Sequence, residues 1–205
     1  MQQLLGDLAR NRPGDAVRKK IQDLQPNPVL RLINRWIPGS EIRSWSDGLA
    51  GELATARKLT KLKRHGWFTL HAIQWPSGAD IDHLTIGPAG VFAINSKRHR
   101  GKTVWYGDTA ITVNGAVTRH IAISQAEAGR VSRVLSRRCG VDVPVRPVIS
   151  VVHAAKLTVK NANSPVLVLD VGHLGRTLSG LSPRLLPDQV TRIYEVARDP
   201  RTWSG

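Results

Sequence analysis

The stretch DIDHLTIGPAGVFAINSK, residues 80–97, decides how this chain is read. DIDHLTI (80–86) and VFAINSK (91–97) are β-rich runs on either side of Gly87-Pro88-Ala89-Gly90, a strong turn signal, so the segment predicts a hairpin. A four-residue loop pairs Ile86 with Val91. Leu84 then faces Ala93, Asp82 faces Asn95 and Asp80 faces Lys97. Residues two apart share a face of a strand. Asp80, Asp82, Asn95 and Lys97 should therefore gather on one side of two neighbouring strands, with opposed Cβ atoms roughly 4.5–5.5 Å apart. A slip of a single residue would dissolve the pairing.

Working outward, Ser46 is placed to cap a helix over about residues 47–64, with Gly66 just past its end. WFTLHAI (67–73), TVWY (103–106) and AITV (110–113) read as strands, and Asn114-Gly115 as a hairpin turn. Ser124 and Glu127 form an S-x-x-E capping box before a helix of about 125–138, terminated by Gly140. Strands are expected near 147–152 and 166–169, and a last helix over 188–198 after Pro187. The sum is an α/β fold: a central mixed β-sheet flanked by helices, over residues 45–205. Residues 1–44 read as a short helical appendage, basic and amphipathic. Leu4, Leu5, Leu8, Val17, Ile21 and Leu24 supply its apolar positions, and Pro13-Gly14, Pro28 and Pro38-Gly39 interrupt it. Such an arm can pack on its own domain, which is the first expectation, or lie on DNA or a membrane.

Thirty Lys and Arg against fifteen Asp and Glu leave a net charge of +15 and a pI near 11.2. That field concentrates polyanions, and nucleic acid is the commonest partner of a compact basic domain. Cys139 is the single cysteine, so neither an internal disulfide nor a cysteine metal cluster is available, which favours a reducing compartment. The N-terminal residues lack the apolar core of a signal peptide. No apolar run reaches the ~20 residues of an integral membrane segment. A cytoplasmic location is expected.

Glu52 shares a helix face with Leu49, Ala56 and Leu59, a stripe that should meet the sheet. A carboxylate there costs stability unless a cation or donors compensate it. The alternative places Glu52 at the rim, reaching water. Gly48 and Gly51 bracket it and would permit a close helix approach. Two strand carboxylates, an amide oxygen and a lysine suit a hard-cation site, since Mg²⁺ prefers oxygen ligands. The competing reading is an Asp80–Lys97 ion pair with Asp82 bonded to loop amides.

GLAGELA (48–54) followed by ADIDHLTIGPAGVFAINSKRHRGK (79–102) resembles the nuclease-related domain branch of the PD-(D/E)xK nuclease superfamily. The resemblance covers roughly residues 46–135 and implies a restriction-endonuclease-like core. In that pattern Glu52 matches the helix carboxylate, Asp82 the strand aspartate and Lys97 the lysine; Gln125 resembles the glutamine of a later motif. Asn95 stands where the pattern expects an acid, and it brings an oxygen without charge. The resemblance implies phosphodiester hydrolysis of DNA with Mg²⁺ or Mn²⁺. Glu52, Asp82 and Asn95 would be the ligands and Lys97 would act beside them, with Asp80 able to compensate for Asn95. A second reading is a nucleic-acid-binding module that lost its metal through Asn95. A third is an interaction domain working through the N-terminal arm.

Arg98, His99, Arg100 and Lys102 follow the motif strand and are placed to hold phosphates. Arg130, Arg133 and Arg137 form a helix face opposite Val131, Val134 and Leu135, either a phosphate track or a solvated face. His83 points away from Asp82 and reads as structural. Trp67, Trp75 and Trp105 read as packing residues before stacking platforms. Cys139 has no histidine nearby in sequence.

Overall fold

A computed structural model describes residues 6–37, 39–107, 110–160 and 164–204. Leu4, Leu5 and Pro38, read above as parts of the appendage, lie outside the described residues. The chain runs α1 (Asp15–Leu24), α2 (Pro28–Asn34), α3 (Glu41–Leu59), β1 (Phe68–Gln74), β2 (Asp80–Gly87), β3 (Gly90–Arg98), β4 (Thr103–Tyr106), β5 (Ile111–Val113), β6 (Ala116–Thr118), α4 (His120–Cys139), β7 (Val145–Val152), β8 (Lys156–Val159), β9 (Leu167–Asp170), α5 (Val171–Ser179) and α6 (Pro187–Arg198).

Five strands form the main sheet in the order β1-β2-β3-β7-β9, antiparallel across β1-β2-β3 and parallel across β3-β7-β9. One layer sets Val131 and Leu135 of α4 and Ile193 of α6 against Leu70, Leu84 and Ile86. The other sets Leu59 of α3 and Leu174 and Leu178 of α5 against Phe92, Ile94 and Val148. The fold is thus the expected mixed α/β architecture. A second, four-stranded sheet, β6-β5-β4-β8, was not expected. It packs Val104, Tyr106 and Ile111 against Ile149 and Val151 of β7.

Two helix starts differ from expectation. α3 begins at Glu41 rather than Asp47, and Ser40 is its cap, accepting a bond from the Arg43 amide. The buried stripe reaches back to Ile42, and that burial outweighs the cap signal at Ser46. The helix therefore runs unbroken through residues 44 and 45. It ends at Leu59, a 3-10 segment covers Thr60–His65, and Gly66 follows at φ +74°, as a C-terminal glycine should. α4 begins at His120, five residues before the expected start. β8 and α5 were not foreseen.

The hairpin itself forms with Ile86 opposite Val91 and Leu84 opposite Ala93. At its base a Cβ on Gly87 would lie within the ring of Trp67, a buried residue packed on Phe92. Gly87→Ala is expected to lower stability by about 1–3 kcal/mol through overpacking. Urea unfolding reads this directly, and an unchanged midpoint would contradict it.

Candidate active site

The β2-β3 ladder runs from Gly87–Gly90 to His83–Ile94, and past that point the two strands part. β3 continues instead along β7, Asn95 beside Ile149 and Lys97 beside Val151. Hence Asp82–Asn95 and Asp80–Lys97 are not ladder pairs, contrary to the sequence expectation, although the register is the expected one. Asp82 fills the gap by accepting a 2.7 Å hydrogen bond from the Ser96 amide. On its other side Ala72 of β1 lies between the His71–His83 and Ile73–Ile81 pairs and holds φ +49°, a conformation unfavourable for a residue with a Cβ. Asn11 fixes that distortion by donating to the carbonyls of His71 and Ala72, both at 3.1 Å. Asp82 thus sits where β3 has parted from β2 and β1 is locally distorted.

α3 brings in Glu52. Gly51 allows the approach: a Cβ there would sit 3.3 Å from the Cβ of Arg98, whereas Gly48 has open space around it. Thr55 donates to Ser150 at 2.9 Å and accepts from Ser96 at 3.0 Å, pinning the helix to β3 and β7. Glu52 is only 5% exposed, so it is not a rim residue. Its Oε2 is buried with no hydrogen-bond partner. Burial, then the charges of Asp82 and Asp80, push its pKa up to about 9, with Lys97 pulling the other way. Asp82 is raised to about 6, mainly by burial, and restrained by the Ser96 amide and by Lys97. Asp80 is raised too, by burial, against its own backbone amide and Lys97.

Sequence reasoning missed Glu127. The S-x-x-E signature assigned it to capping. In the structure Ser124 lies inside α4, buried, and Arg119 occupies the cap position without a side-chain bond. Ile121, Ser124, Ala128, Val131 and Leu135 form the helix's buried stripe, and Glu127 sits on its border, three residues after Ser124 and four before Val131. That spacing was the available signal. Its carboxyl is pushed up to about 8 by burial and then by Asp82, with Lys97 and Asn95 lowering it. Gln125, the residue the resemblance selected on this helix, is exposed.

Among the described residues four buried side-chain oxygens have no hydrogen-bond partner, and besides the Ser124 hydroxyl they are Glu52 Oε2 from α3, Asn95 Oδ1 from β3 and Glu127 Oε1 from α4. Asp82 lies within the electrostatic reach of both glutamates. Orphaned oxygens beside raised carboxylates are what a hard cation would satisfy. Among the described residues no three His, Cys, Asp or Glu side chains converge closely enough to hold a metal ion as they stand.

The family model of the nuclease-related domain matches residues 47–152, from the first turns of α3 to the end of β7. The chain belongs to the nuclease-related domain family. No curated protein and no solved structure matches the chain. The nuclease-related domain contains Glu52, Asp80, Asp82, Asn95, Lys97 and Glu127, whereas Asn11 lies before it.

Around the nuclease-related site the basic residues differ in their engagement. Arg98 forms an ion pair with Asp47 of α3 and donates to His153, so it is tied to the scaffold. Arg130 stacks its guanidinium 3.8 Å from the centre of the Trp75 ring. Arg100, Lys102, Arg133 and Arg137 are exposed. His99 and His120 face each other with ring centres 5.5 Å apart, and each has a buried Nε2 without a partner. Burial and the nearby lysines keep both neutral, with His120 lowered to about 4. His83 is structural: its ring bonds to His71 at 2.8 Å and Ser96 at 3.3 Å, on the α3 side. Trp67 and Trp75 are core residues, the latter edge-on to Trp203, whereas Trp105 is 43% exposed. Among the described residues no helix is long and apolar enough to cross a membrane.

Proposed function

We propose that this chain is a metal-dependent nuclease that hydrolyses phosphodiester bonds, with DNA as substrate, in the cytoplasm. The observation that carries the reading is the set of unpartnered buried carboxylate and amide oxygens of Glu52, Asn95 and Glu127 on three separate elements, with both glutamates feeling the charges of Asp82 and Lys97. Glu52, Asp82, Asn95 and Glu127 would hold Mg²⁺ or Mn²⁺, which would supply charge neutralisation at the scissile phosphate and a more acidic water.

The chain's own groups do the rest. Lys97, on the strand next to Asp82, orients the attacking water and donates to the non-bridging oxygens as negative charge builds on them. Water oxygen joins phosphorus as one ester P–O bond breaks. Ser96 holds Asp82 in place through its amide. Arg100, Lys102, Arg133 and Arg137 hold flanking phosphates, and the net charge of +15 draws the polyanion in. Arg98 and Arg130 contribute mainly by positioning, given their partners Asp47 and Trp75.

One observation favours a second reading. Asn95 is neutral where the family pattern has an acid, which suits a module that binds nucleic acid without cutting it. Labelled single- and double-stranded DNA, incubated with the protein in Mg²⁺, Mn²⁺ or EDTA, separates the two. The nuclease cuts in metal and not in EDTA, and Lys97→Ala slows cutting roughly ten- to a hundredfold. A shifted but uncut band in every lane would overturn the nuclease and leave the binding module.

A further inference from the structure

Residues 28–37, PVLRLINRWI, begin with α2, whose first-turn amides are capped by the Asn27 side chain. The coil continues past Asn34, with the Trp36 amide bonded to Ile33 at 2.9 Å and the Ile37 amide to Asn34 at 3.3 Å. At 3.6 residues per turn, Leu32, Trp36, Val29, Ile33, Ile37 and Leu30 fall in sequence around an arc of about 160°. Arg31, Asn34 and Arg35 occupy the remainder.

An amphipathic helix ordinarily turns such a face inward. This one presents it to solvent: Trp36 is 75% exposed, Val29 64%, Leu32 60% and Ile33 52%, and α2 has no buried residue. Other described parts of the arm are docked. Val17 and Ile21 of α1 are buried against Ile42, Asn11 is bonded to β1, and Asp7 pairs with Arg198. Among the described residues the face is therefore unpartnered while its neighbours are anchored.

The charge around it narrows the occupant. Residues 18–43 hold six Lys and Arg against two acids, Asp23 and Glu41. A second copy would bring another net +15 to the same place. The apolar side chains also project outward rather than line a cleft. A projecting apolar face with a tryptophan, edged by arginines, suits the boundary of an anionic bilayer: apolar side chains enter the acyl region and guanidinium groups stay at the headgroups. We infer that residues 28–37 are an interfacial anchor that lays this protein on an anionic lipid surface without crossing it. The inference does not depend on whether the chain cuts DNA.

The test uses the full chain, sedimented with vesicles of phosphatidylcholine alone or with about one-third phosphatidylglycerol. The comparison is a Leu32→Ser/Ile33→Ser/Trp36→Ser variant, whose changes are all at exposed positions. The wild type is expected to bind the anionic vesicles at least about tenfold better than the neutral ones, and the variant to lose about tenfold or more of that binding. DNA affinity by gel shift should stay unchanged in the variant, showing that its fold and other basic surfaces are intact. Absence of vesicle binding, or equal binding by the variant, would overturn the anchor. So would a dimer seen by ultracentrifugation without vesicles that the variant abolishes, because a second copy would then cover the face. Equal wild-type binding to both vesicles would overturn the anionic preference.

Discussion

Glu127→Gln is expected to lower metal-dependent DNA cleavage by roughly 10²–10³-fold, with DNA binding in EDTA retained. Asn95 offers one neutral oxygen, so Glu52 and Asp82 alone would leave the cation short of negative charge. Glu127 lies on α4, where burial and the charge of Asp82 raise its pKa while Lys97 and Asn95 lower it. In the proposed site the missing acid of the strand would thus be replaced by one from a helix. A double exchange, Asn95→Glu with Glu127→Gln, restores the count of carboxylates and should return cleavage to within about tenfold of wild type. Gln125→Ala, at an exposed position on the same helix, should change the rate little. Initial rates in Mn²⁺ and metal titration by calorimetry measure both effects. If Glu127→Gln cuts as fast as wild type, Glu127 is no part of the site, and Asp80 becomes the group that compensates for Asn95.

Why Glu127 was hidden and Glu52 was not is a matter of local signals. Glu52 interrupts the apolar stripe of Leu49, Ala56 and Leu59, and an acid on such a stripe stands out at once. The β2-β3 register was legible because Gly87 and Gly90 fix the turn, and a one-residue slip would turn Leu84 and Ile86 away from the core. Glu127 sat in an S-x-x-E pattern that also spells a helix start, and the true start at His120 has no side-chain cap to announce it. Only the stripe from Ile121 onward distinguishes the two. The parting of β2 and β3 at Asp82 was illegible for another reason. It depends on Ala72 in a strained conformation and on Asn11, some sixty residues away, bonding to its carbonyl. The Arg98–Asp47 pair likewise joins residues whose proximity only the packing of α3 creates. The second sheet is built from strands as short as three residues, too brief for a dependable alternation signal.

Glu52→Gln should stabilise the metal-free protein at pH 8, on the order of 2 kcal/mol, while abolishing metal-dependent cleavage. An acid whose folded-state pKa is raised holds its proton more tightly when folded. Its contribution to stability is fully present below the unfolded value and is lost as pH rises towards the folded one. For Glu52 that window runs from 4.5 to about 9, for Glu127 from 4.5 to about 8, and for Asp82 from 3.8 to about 6. His71 and His83 work in the opposite sense, since both are held neutral by burial, but their effect ends near the ordinary histidine value of 6.5. Between pH 6.5 and 9 the carboxylates therefore govern, and metal-free wild type should become progressively less stable. Thermal unfolding in EDTA should show Glu52→Gln melting several degrees above wild type at pH 8 and close to it at pH 4.5. Mn²⁺ should raise the wild-type melting temperature at pH 8 by more than that of the variant, because the ion binds the folded state through the carboxylate the variant lacks. Equal melting of the two proteins at both pH values would mean that Glu52 reaches water and that its burial imposes no cost. A cost relieved both by the ion and by the neutral side chain is the signature of a cluster whose charges are kept for binding at the expense of the free fold.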